Sequence, residues 1–132
     1  MSKPEGSLTS AQYEILEVIW ARGAEGATVA EIWEAITVGR AVIRTTILNL
    51  VDRLEKRGWL VRRPDQKPIR YVPALDRQST TAFLAAGFVD DFFAGSATDL
   101  VLSLLGSRRL KPEEIEALRR QLDLQAKQTR GR

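Results

Sequence analysis

The chain has 132 residues, 44% of them hydrophobic, and a net charge of +3, which gives room for one ordinary domain, or a small one with an oligomerisation extension, and argues against global disorder. It contains no cysteine and no histidine, so disulfides, thiolate metal sites, imidazole-ligated zinc enzymes and histidine-based triads are excluded. It has no apolar run of roughly 18 residues and no apolar core in MSKPEGSL at its start, so neither a transmembrane helix nor a secretory signal is expected, and the cytoplasm is the expected location.

Leu8-Thr9-Ser10-Ala11-Gln12-Tyr13 predicts the start of a first helix. Thr9 is its cap, Gln12 sits at the reciprocal capping-box position, and Leu8 can staple onto Tyr13. Tyr13, Leu16, Ile19 and Trp20 follow at helical spacing until Gly23 and Gly26 end the run. Thr28-Val29-Ala30-Glu31 is a second capping box, ahead of a short helix that turns Ile32, Trp33 and Ile36 inward. A third helix begins between Arg40 and Thr45, where no good N-cap stands. Its buried seam is Ile47, Leu50, Val51 and Leu54, and Gly58 supplies a left-handed cap. Residues 59–63 and 69–72 read as two strands joined by the tip Pro64-Asp65-Gln66-Lys67-Pro68.

This order of helix, turn, helix and hairpin predicts a winged helix-turn-helix domain over residues 1–74. Beyond Pro73, Asp76 caps a helix carrying Phe83, Leu84, Phe88, Val89, Phe92 and Phe93. Ser96, with Asp99 three residues on, opens another with Leu100, Val101, Leu104 and Leu105. Pro112, followed by Glu113 and Glu114, opens a last one with Ile115, Leu118 and Leu122 on one stripe and a frayed end from about Lys127. The fold class expected is mainly α with a small β-hairpin. Residues 75–132 are too few for a stable core, so they are expected to dimerise through Phe88, Phe92, Phe93, Leu100, Leu104, Ile115, Leu118 and Leu122.

Charge is unevenly spread. Residues 1–39 hold two Lys/Arg against six Asp/Glu, residues 40–70 hold nine against three, and the remainder nine against eight. A basic segment on a helix-turn-helix suits a phosphate-binding surface; a solvated charged face is the competing interpretation. The major groove, about 12 Å wide, admits one helix with short polar residues near its start and cations along its flanks. Thr45, Thr46 and Asn49 supply the first, and Arg44 and Arg53 the second. Asn49 can bond adenine in two places, and Leu48 can pack on a thymine methyl. Arg63, Lys67 and Arg70 would let the wing straddle phosphates or a minor groove.

Plainer roles stand beside these. Thr46 can be a helix-surface residue bonded to an earlier carbonyl, and Arg53 can pair with Glu55. Arg63 and Arg70 can face each other across the hairpin, which then needs a nearby anion. Asp90-Asp91 reads as a solvated face rather than a metal site, and the three Trp as core. No cofactor and no metal is expected.

LTSAQYEILEVIW at 8–20, TVAEIWEAI at 28–36, TTILNLVDRLEKRGWLVR at 45–62 and YVP at 71–73, with FFAGS, DLVLSLL and LKPEEIEALRRQL further on, resemble the penicillinase repressor family of BlaI/MecI type. The resemblance runs from Leu8 to about Leu122. It implies a homodimeric transcriptional repressor on a palindromic operator in double-stranded DNA, often at β-lactam resistance genes. It also implies inactivation by a protease pathway that cuts in the dimerisation region, at the position of Ser103-Leu104. Family members usually carry Asn-Phe there, and this chain has Ser-Leu. A copper-responsive branch has a C-terminal cysteine cluster, which this chain lacks. Ile43 stands where a small polar residue is common, and Leu48 where a basic one can occur.

The leading expectation is therefore a dimeric winged-helix repressor. A winged helix that binds protein and ignores DNA is the alternative, which competition with duplex would reveal. An enzyme has little support, because only carboxylate or lysine chemistry remains and no such cluster is foreseen.

Overall fold

The computed structural model describes residues 4–131. They form α1 (Ser10–Ala21), α2 (Val29–Thr37), α3 (Arg44–Lys56), β1 (Leu60–Arg63), β2 (Arg70–Pro73), α4 (Arg77–Phe92), α5 (Ala97–Gly106) and α6 (Pro112–Arg130), with a 3-10 turn at Gly23–Glu25. The chain is thus mainly helical with one two-stranded sheet.

Both expected capping boxes form. Thr9 Oγ1 accepts from the Gln12 N–H at 3.2 Å, and Gln12 Oε1 accepts from the Thr9 N–H at 3.0 Å. Thr28 and Glu31 repeat the exchange at 3.1 and 3.0 Å. Each box satisfies two helix-start donors that otherwise lack partners. The start of α3 is different: Ile43 occupies the N-cap in extended backbone, and its side chain makes no cap bond. At the other end Gly58, at φ 82°, lets the Trp59 N–H reach back to the Leu54 carbonyl at 2.8 Å.

Three helices close over one core. Ile15, Leu16 and Ile19 of α1 meet Ile32 and Ile36 of α2 and Ile47, Val51 and Leu54 of α3, with Trp59, Leu60 and Tyr71 of the hairpin. Ile15 is fully buried, whereas Tyr13 is half-buried and lies edge-on to Trp20, with ring centroids 5.6 Å apart. Trp59 is core, while Trp20 and Trp33 pack half-buried at its rim.

The hairpin is antiparallel, with Leu60 opposite Pro73 and Arg63 opposite Arg70. An isolated bridge ties it to the loop before α2: the Ala27 N–H donates to the Tyr71 carbonyl at 3.0 Å, and the Tyr71 N–H to the Ala27 carbonyl at 2.9 Å. The segment before α1 is also fastened. Arg57 donates to the carbonyls of Glu5, at 2.9 Å, and Ser7, and the Trp59 indole N–H donates to the Glu5 carbonyl at 3.0 Å.

The chain divides into two compact units, Met1–Gly87 and Phe88–Arg132, with the division inside α4. The reason is packing: Phe83 meets Trp59 edge-on at 5.5 Å, and Phe83 and Leu84 join the first core. The Trp20 indole also donates to the Leu75 carbonyl at 3.0 Å.

In the second unit, Ser96 caps α5 by accepting from the Asp99 N–H at 3.1 Å, and Pro112 takes a first-turn position of α6. Helix α6 continues to Arg130, past the expected fraying at Lys127. Among the described residues of α5 and α6, none is buried. Among the described residues, no helix is long and apolar enough to cross a membrane.

Candidate nucleic-acid interface

The turn between α2 and α3 is held from two sides. The Trp33 indole donates to the Val42 carbonyl at 2.6 Å, and Arg40 forms a two-pronged bond with Glu14 of α1 at 3.0 and 2.6 Å. These contacts set where α3 begins. Ile47, Val51 and Leu54 then face the core at helical spacing, which turns the other side of α3 outward. Thr45, Thr46, Leu48, Asn49 and Arg53 are all exposed there. Arg44 is exposed too, its guanidinium 5.2 Å above the Trp33 ring. That stacking orients the cation without neutralising it. Asp52 pairs with Lys56 at 3.1 Å, and Glu55 with Arg62 at 3.1 Å. Arg53 makes no ion pair among the described residues, so Glu55 does not occupy it.

The wing cations divide into two kinds. Arg63 and Arg70 lie directly opposite each other, and both side chains fold back onto the domain. Arg63 donates to the Ala24 carbonyl at 3.2 Å. Arg70 donates to the Gly26 carbonyl at 3.3 Å and pairs with Glu31 at 3.1 Å. Glu31 is the anion that the facing guanidiniums need; it also pairs with Arg22 at 3.1 Å. Its carboxyl is held below the ordinary carboxylate value, first by the Thr28 backbone N–H it accepts, against the opposing effect of burial, with Arg22 and Arg70 beside it lowering it further. Lys67, at the hairpin tip, is exposed and in no ion pair among the described residues.

The structure thus gathers Arg44, Thr45, Thr46, Leu48, Asn49 and Arg53 along one exposed helix surface, with Lys67 at a separate loop tip. Arg63 and Arg70 are engaged at the base of the hairpin. Sequence reasoning passed over one partnership: Glu31 appears there only as a capping residue, since its pairing with Arg70 spans 39 positions and leaves no local mark. Ile43, already notable in the sequence as standing where a small polar residue is common, is 71% exposed at the N-cap of α3.

In the second unit Phe88, Phe92, Leu104, Leu118 and Leu122 are exposed, and Phe93, Leu100 and Ile115 are half-buried. Between α5 and α6 runs an apolar groove of about 440 Å³, walled by Val101, Leu105, Leu110, Ile115, Leu118 and Leu122. Ser103 and Leu104 are exposed and lie within the continuous helix α5. Asp90 and Asp91 are exposed, and no group of acids that could hold a metal occurs among the described residues.

The penicillinase repressor family profile matches residues 8–124. The methicillin resistance regulatory protein MecI of Mammaliicoccus sciuri is 29% identical over 112 residues, covering 85% of this chain and 89% of that protein. The transcriptional regulator BlaI of Mycobacterium tuberculosis is 28% identical over 113 residues, covering 82% and 77%. Among solved structures, a MarR family protein from Bacillus stearothermophilus aligns with a TM-score of 0.45 at 20% identity, over 92% of this chain and 75% of that one.

Proposed function

The chain belongs to the penicillinase repressor family, whose members are DNA-binding transcriptional repressors and not enzymes, and from that membership we propose that it acts as a homodimer on a palindromic operator. The observation that carries this is the outward surface of α3, where Thr45, Thr46 and Asn49 stand exposed beside the unpaired Arg53. Asn49 bonds an adenine edge, Arg44 and Arg53 meet phosphate or guanine, and Lys67 grips backbone beyond the groove. Arg63 and Arg70 serve mainly to hold the hairpin at its angle.

Pairing is supported by energetics. One small reading module buries only about 600–1,000 Å² on DNA, and two joined modules double that and fix the spacing of half-sites. The exposed leucines and phenylalanines of the second unit are the surface such pairing would cover. The roles of MecI and BlaI make β-lactam resistance promoters the first targets to examine. Release by cleavage at Ser103-Leu104 requires α5 to open locally, because the bond lies inside a helix.

Footprinting the protein on its own upstream DNA tests the proposal. The expected result is a protected inverted repeat with half-site centres about 34 Å apart, or a multiple of that. If about eight phosphates are neutralised, log affinity falls against log salt with a slope near −7. Protection without any repeat, or a slope near zero, would defeat it.

A further inference from the structure

Ile43 stands at the N-cap of α3 and is 71% exposed; Leu48, in the second turn of that helix, is 49% exposed. Neither belongs to the core cluster. Ile43 does not serve the helix either. Its side chain has no oxygen for the first-turn N–H groups, where Thr9 and Thr28 supply one to α1 and α2; the Thr46 N–H donates to the Ile43 carbonyl at 3.1 Å instead.

Single aliphatic residues on a surface are ordinary, but these two have particular neighbours. In sequence they flank the exposed Arg44, Thr45 and Thr46 over the first turns of α3, the part of a recognition helix that meets base edges. The guanidiniums on this surface match the charge of a phosphate backbone, so the occupant it fits is duplex DNA. The floor of the major groove presents donors and acceptors at every base pair and a single kind of apolar group, the 5-methyl of thymine.

Resting on the operator-binding role above, we infer that Ile43 and Leu48 read thymine methyl groups, so that each half-site is chosen partly by apolar contact. The two residues are about 7.5 Å apart along a helix axis and about 140° apart around it, so they touch methyls of different base pairs. A cytosine at either place offers an amino donor to a side chain that cannot accept it, and the desolvated donor is penalised.

The test begins by selecting an operator from random duplexes with the full chain, then replacing each thymine with deoxyuridine, which removes only the methyl. The unsubstituted protein should lose about fourfold in affinity at two positions per half-site. Ile43→Ala should abolish the loss at one position and Leu48→Ala at the other, with the salt slope unchanged. Ile43→Ser, which supplies a capping oxygen, should raise the thermal midpoint while losing the same discrimination, separating DNA reading from folding. Deoxyuridine accepted at every position without loss, or losses that persist in both alanine variants, would overturn the inference and leave operator binding standing. Failure to enrich any duplex would remove operator binding itself and this inference with it.

Discussion

Gly26 holds φ 73° immediately before the bridge to Tyr71, and a Cβ there would press into the Tyr71 carbonyl. Gly26→Ala is therefore expected to cost on the order of 3 kcal/mol, read from denaturant unfolding, and to loosen the hairpin base. At the reading surface, Asn49→Ala should weaken the chosen operator and relax sequence choice, because a bidentate bond to adenine is lost. Lys67→Ala should weaken every duplex alike and reduce the salt slope by about one. Titration of specific and random duplex at several salt concentrations separates them; equal effects on all sequences would contradict the assigned roles. The outward set on α3 was legible in the sequence, because Ile47, Val51 and Leu54 at helical spacing identify the buried side and leave the rest facing out. The engagement of Arg70 with Glu31 was not, since nothing local joins residues so far apart.

At the scale of elements, one carboxylate joins the hairpin to α2: Glu31 accepts from the Thr28 N–H in the capping box and pairs with Arg70. The folded Glu31 carboxyl lies below its ordinary value, so its contribution is present above the unfolded value and is lost as pH falls through the folded one. Glu31→Gln imitates the protonated form. The stability gap between the native chain and Glu31→Gln should be widest near neutral pH and close below about pH 4, read from unfolding midpoints across pH. Asp76, lowered by the Ser79 backbone N–H at the start of α4, adds a contribution of the same sign in the native chain and the variant alike, so the comparison cancels it. A double-mutant cycle with Arg70→Ala should show coupling of about 1 kcal/mol; strict additivity would mean that the pair does not act together. Elements with paired caps were read closely from sequence, Thr9 with Gln12 and Thr28 with Glu31 above all, because a cap and its helix are neighbours in the chain. The sequence bounds the start of α3 only between Arg40 and Thr45, because Ile43 supplies no such mark; the Trp33 and Arg40 contacts place it at Arg44.

For the molecule as a whole, the proposed pairing carries the largest consequence. Leu122 is 65% exposed on α6. In a lone chain, Leu122→Glu should alter stability by no more than about 0.5 kcal/mol. In a dimer it places a charge in a covered apolar surface, and the expected result is a monomer by sedimentation with operator affinity reduced at least about tenfold. An unchanged dimer would relocate the interface away from this part of α6.

Sequence alone determined the order of the helices, the capping boxes of α1 and α2, the buried side of α3 and its outward polar set, because these follow from neighbours within a few positions and from helical periodicity. Only the tertiary structure decided that Arg63 bonds the Ala24 carbonyl and Arg70 pairs with Glu31 at the hairpin base, that Arg57 and Trp59 fasten the segment before α1, and that Phe83 belongs to the first core. Those outcomes are through-space competitions for a guanidinium, a carbonyl or a ring face, and they are settled by which partners folding brings within about 3–5 Å.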